Sequence, residues 1–183
     1  MTQPPVKGAR RVTRLALLTA IALTIFMVEA QIPVAVPIPG VKLGLANIVT
    51  VYTVFALGAG DALLVLLCRV FLGAVFSGQM MTLLYSLGGG LLCWLAMVGL
   101  KRILTARQIW LCSPLAAICH NLGQLLVAAG VMKTWAVLAY LPYLVIAGAG
   151  AGLFTGLCAQ FLMQRLDRLG LGRKEENHGA KRH

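Results

Sequence analysis

Acidic residues are scarce: five Asp and Glu stand against 16 Lys and Arg in 183 residues, and charged residues make up only 11% of the chain. Soluble domains carry about 25%, so this chain lacks the polar surface needed to face water on every side. No two of its acids lie close together in an apolar run, which leaves paired-carboxylate or Asp-rich diphosphate chemistry without the ligands it needs. Walker A, HExxH and GxSxG patterns are all missing, so phosphate loops, zinc peptidases and serine hydrolases are excluded as well. CxxC spacing is also missing. Cys68, Cys93, Cys112, Cys119 and Cys158 read as small hydrophobes in helices, neither a disulfide framework nor a metal site. No catalytic residue, cofactor or metal is expected.

What the chain has in abundance is apolar side chain. It is 60% hydrophobic, with a mean hydropathy of +0.87. A soluble fold of this size has too much surface to hide that fraction, so one membrane domain is the expectation. The net charge of +11 would point to nucleic acid in a soluble domain, but the positions of the charges point elsewhere. Lys7, Arg10, Arg11 and Arg14 precede the first apolar run, Lys101, Arg102 and Arg107 sit in one central gap, and Arg165, Arg168, Arg173, Lys174, Lys181 and Arg182 close the chain. Only Lys42, Arg69 and Lys133 fall elsewhere. Such clustering is a topology signal and an attraction for anionic lipid headgroups. Nucleic acid is not an expected partner.

Spans of about 20 apolar residues are predicted at 13–32, 43–57, 62–76, 80–100, 109–132 and 135–162, the second and third being short. The Pro-rich stretch IPVAVPIPG, the turns GAGD and SGQ, the linker KRILTARQ and the pair Lys133–Thr134 separate them. The first span has no small-residue cleavage site after it and reads as retained. The expected fold is an all-α integral membrane protein with six transmembrane helices. Its parts are a basic N-terminus (1–12), a membrane domain (13–164) and a basic tail (165–183). Both termini are expected in the cytoplasm, with the protein in the inner membrane.

Polar side chains inside a bilayer are costly and usually face a bundle interior or a water-filled cavity. Counting 1.5 Å per residue, Glu29 lies roughly 21 Å from the inner edge of its span, and Asn47 only some 6–7 Å below the outer edge of the next. Tyr85 and Ser86 lie at a similar outer depth, and Tyr140 and Tyr143 occupy outer turns. His120, Asn121 and Gln124 lie about 16–22 Å up, and Arg69 roughly 12 Å up with a stem able to carry its guanidinium outward. The outer half therefore collects the polar groups while the inner half is nearly dry. This predicts a site opening outward, with the loop around Lys42 as its lid. Glu29 and Arg69 are a candidate ion pair. Gly148, Gly152 and Gly156 form a double GxxxG expected to pack internally, whereas Ala16 and Ala20, one turn apart, suit either internal packing or a membrane partner.

Several segments carry a resemblance: PIPGVKLGLANIVTVYTVFALG (37–58), RVFLGAVFSG (69–78), LLYSLGGGLL (83–92) and SPLAAICHNLGQL (113–125). In this order they resemble the bacterial membrane proteins called heptaprenyl diphosphate synthase component I, or the Gx transporter family, over roughly residues 10–165. That family is similar to the substrate-binding S components of energy-coupling factor (ECF) vitamin transporters. The resemblance implies a six-helix bundle with an outward site capped by the first loop. It implies docking through Ala16 and Ala20 on a transmembrane T subunit with its ATPases. It also implies pocket positions at Lys42, Asn47, Arg69, His120, Asn121 and Gln124. The synthase name fits poorly, because prenyl synthases carry DDxxD motifs and this chain has none. The expected role is capture of a small amphipathic or anionic molecule for ATP-driven uptake. Arg69, Lys42 and His120 would meet its headgroup, Asn47, Asn121 and Gln124 would add hydrogen bonds, and the tyrosines stacking. The rival readings are a noncatalytic membrane subunit of prenyl or quinone biosynthesis, or a partner in a membrane redox complex.

Overall fold

The computed structural model describes residues 7–31, 42, 44–104 and 108–168, and every regular element among them is helical. The helices are α1 (Lys7–Glu29), α2 (Asn47–Ala56), α3 (Ala59–Ser77), α4 (Met80–Leu100), α5 (Ile109–Met132) and α6 (Leu141–Arg168), with a 3-10 segment at Trp135–Tyr140 ahead of α6. The prolines at 33, 37 and 39, Arg107 and the tail from 169 lie outside the described residues.

Five of these helices are long and apolar enough to cross a membrane. The exception is α2. Its 10 residues reach about 15 Å, half of a hydrocarbon core roughly 30 Å thick. It is buried on most of its circumference through Asn47, Val49, Thr50, Val51, Thr53, Val54 and Phe55, and touches each of the other five helices. Around it, α1 packs on α3, α3 on α4, α4 on α5 and α5 on α6. The seam of α1 is Leu15, Ala22, Phe26 and Glu29, spaced by seven, four and three so that they share one helix face. The outer faces are apolar: Phe71, Ile146, Phe154 and Phe161 are each more than 60% exposed, a surface suited to lipid and not to water.

Small residues set the closest approaches. A Cβ on Gly152 would lie 2.6 Å from Pro114 Cα and one on Gly156 2.7 Å from Ser113 Cβ, and one on Gly148 would collide with Asn121 Nδ2. The double GxxxG thus packs internally, on α5. Gly88 meets Gly123 across the α4–α5 contact in the same way.

Contacts also show which ends lie together. Arg11 pairs with Asp61, joining the starts of α1 and α3. Trp94 Nε1 donates to the Ala59 carbonyl (3.0 Å), and Lys101 Nζ to the Val54 carbonyl (2.6 Å). The Trp110 N–H donates to Gln160 Oε1 (3.3 Å), tying the start of α5 to the later turns of α6. The exposed side chains of Arg10, Arg14, Arg102, Arg165 and Arg168 therefore collect at one end of the bundle.

Candidate functional site

At the C-terminal turn of α1, Glu29 is 2% exposed, and a carboxylate buried that deeply needs donors. It finds them in the loop leading to α2: the backbone N–H of Gly44 donates to Oε1 and that of Ala46 to Oε2 (3.4 Å). The expected Glu29–Arg69 ion pair does not form. Backbone donors occupy the carboxylate, while Arg69 from α3 donates through Nη2 to Asn47 Oδ1 (3.1 Å) at the first residue of α2. Glu29 acts on Arg69, and on Lys42, only through space.

From α5, His120 and Gln124 share a face, as their four-residue spacing requires, and their side chains meet at 3.0 Å between Nε2 atoms. Gln124 Oε1 in turn accepts the backbone N–H of Lys42 (3.3 Å). Lys42 lays its ammonium over the Phe26 ring, 3.5 Å from the centroid, a favourable cation–π placement. Gly44, at φ +85°, sits where a Cβ would come within 2.7 Å of Asn47 Nδ2 and 2.9 Å of His120 Cδ2. Five elements therefore converge on one place: the end of α1, the residues Lys42 and Gly44 ahead of α2, the start of α2, and the middles of α3 and α5. Lys42 and Gly44 are part of this cluster; the rest of the VPIPGVKLG stretch expected as a lid lies outside the described residues.

Not every residue expected at the site is there. Asn121 faces α6, donating through Nδ2 to the Leu144 carbonyl (2.7 Å). Tyr85 is buried one turn along α4 from Gly89, in an apolar group with Leu125, Ala128, Ala129, Val137 and Leu144, and Tyr140 packs on the edge of that group. Tyr143 is 47% exposed on the outside of the bundle. Ala16 and Ala20 are exposed on α1. The half nearer the basic end is not wholly dry, but its polar groups are locally satisfied: Ser113 Oγ meets Thr155 Oγ1 at 3.1 Å, and Thr53 Oγ1 donates to the Val49 carbonyl.

Three members of the cluster went unforeseen. Phe26 lies three residues before Glu29 and so on its face, a signal readable in advance. Gly44 contributes a backbone N–H, which no side-chain pattern announces. Gly89 gives the His120 ring room, since a Cβ there would lie 2.9 Å from His120 Cε1.

Among the described residues, four buried polar atoms have no hydrogen-bond partner: Asn47 Nδ2, Arg69 Nε, His120 Nδ1 and Asn121 Oδ1. Three of these belong to the cluster. Among the described residues no three His, Cys, Asp or Glu side chains gather as a metal-binding set.

A family model for heptaprenyl diphosphate synthase component I matches residues 18–162, well over half the chain. The chain belongs to this family. Its apolar helices mark this heptaprenyl diphosphate synthase component I relative as a multi-pass membrane protein. The matched stretch takes in every residue of the polar cluster. No curated protein and no solved structure matches the chain.

Proposed function

We propose that the protein is the substrate-binding subunit of a membrane uptake system, of the S-component kind, and is not itself an enzyme. Six crossings place both termini in the cytoplasm, the second made by α2 together with the stretch that enters it at Lys42. The molecule taken up arrives from the outer side of the cytoplasmic membrane and is passed on by partner subunits with ATPases. The observation that carries this reading is the buried cluster itself. Arg69, Asn47 and His120 bring three of the four unpartnered buried polar atoms among the described residues to one place, and native proteins rarely leave such atoms unmet. Packing alone gives no reason for them. Exposed Ala16 and Ala20 on α1 support docking on a transmembrane partner, and the basic end suits anionic lipid headgroups.

The test is mass spectrometry of small molecules retained by the protein purified from membranes in neutral detergent. Wild type is expected to retain a molecule that Arg69→Ala loses, both proteins remaining monodisperse. Identical retention by the two would remove the site assignment. The family name favours a second reading, a noncatalytic membrane subunit of a prenyl diphosphate synthase. That reading predicts that a soluble prenyl synthase co-purifies and that no small molecule is retained.

A further inference from the structure

The unpartnered atoms can be assigned as donors or acceptors from their neighbours. Asn47 Oδ1 accepts from Arg69, so the free atom, Nδ2, is a donor. Gln124 Oε1 accepts from Lys42, so its Nε2 is the donor toward His120. His120 Nε2 must then accept, which makes the imidazole neutral and leaves its proton on Nδ1. The Gly89 backbone is the nearest acceptor for that proton, but the distance and angle of a hydrogen bond on Nδ1 are not met. Arg69 Nε is a donor by nature. All three unmet atoms of the cluster are therefore N–H groups, on side chains no more than 4% exposed.

Charge points the same way. Arg69 and Lys42 bring two positive charges, Glu29 one negative, and His120 none. The N-terminus of α2, at Asn47, adds the positive end of a helix dipole. Lys42 is only half-buried, but the Arg69 guanidinium is 3% exposed and no carboxylate among the described residues touches it, and a buried charge without a counter-ion is costly.

We infer that the cluster is built to hold a single monoanionic oxygen headgroup, a carboxylate or a phosphodiester, met by the N–H groups of Arg69, Asn47 and His120. This deepens the uptake reading by naming the class of molecule. A cation or an amine would face three donors and like charge. A diphosphate would bring several negative charges against one, so the headgroup is not the one in the family's name.

The sign of the charge can be tested without knowing the ligand. Full-length protein, washed free of small molecules, is held in a maltoside detergent, which carries no anion, and its thermal unfolding followed. Asn47→Asp supplies an isosteric anion beside Arg69 and is expected to raise Tm by about 3 °C or more. In an Arg69→Gln background the same change should lower Tm. A fall in Tm on Asn47→Asp in both backgrounds would overturn the inference, because the substitution would then only bury an unpaired carboxylate.

Two further arms separate the sources. If the anion is a lipid phosphodiester, phosphatidylglycerol added to the micelles raises the Tm of wild type but not of Asn47→Asp. If it is a soluble carboxylate, added acetate does so. A retained molecule that proves cationic or neutral would sink this inference and leave the uptake reading standing. A gain on Asn47→Asp in a protein that retains nothing from membranes would do the reverse.

Discussion

Gly44 shows how much of the site depends on single atoms. Its φ of +85° favours glycine, its N–H sits on the Glu29 carboxylate, and a Cβ on it would press on Asn47 and His120. Gly44→Ala combines backbone strain with a methyl pressed against both neighbours, and should destabilise the protein by about 2 kcal/mol. Thermal unfolding in detergent would show this, together with a lower yield of retained small molecule. Glu29, Asn47, Arg69, His120 and Gln124 were legible in the sequence because each is a polar letter in an apolar run. Their pairing was not. Glu29 is satisfied by backbone N–H groups, which a residue pattern does not display, so the nearest opposite charge, Arg69, looked like its partner. Asn121 and Tyr143 were misplaced for a related reason. Neighbouring residues on a helix point about 100° apart, and depth alone does not choose the face.

Among the elements, α4 and α5 match their expected bounds because punctuation brackets them: SGQ before one, the basic linker between them, and Lys133–Thr134 after the other. Lys133 takes a left-handed conformation there, which ends the helix. By contrast α1 begins at Lys7 and α6 continues to Arg168, both beyond the apolar spans. Hydropathy marks where lipid stops, whereas arginine and lysine are good helix formers and let the coil continue into water. The stretch after Thr134 starts as a 3-10 turn instead of α-helix. At this scale the α5–α6 contact is the one most sensitive to volume. Gly152→Val would force a branched side chain into the Pro114 backbone at a point where a bare Cβ already comes within 2.6 Å. A loss of about 3 kcal/mol or more is expected, read as a lower unfolding temperature. Gly150, whose Cβ would meet nothing within 4 Å, should accept the same change with little effect.

For the molecule as a whole, the collection of basic side chains at one end makes a directional prediction. In a cysteine-free background, single cysteines at positions 10 and 168 should react with an impermeant maleimide only from the cytoplasmic side of sealed vesicles, and one at 133 only from the other side. Labelling of 10 and 168 from opposite sides would refute the six-crossing arrangement. The charge clusters made this end recognisable in the sequence, since lysine and arginine bias orientation wherever they flank a span. The central place of α2 was hidden, because a short apolar run looks the same whether lipid or protein surrounds it. That place has a consequence for biogenesis. The second helix to leave the ribosome is the innermost in the finished bundle, and the core around Val51 and Val54 includes Ile109, Cys112 and Ala159 from the last two helices. Those contacts cannot exist until nearly the whole chain has been made, so α2 waits unfinished in the membrane while its enclosure is synthesised.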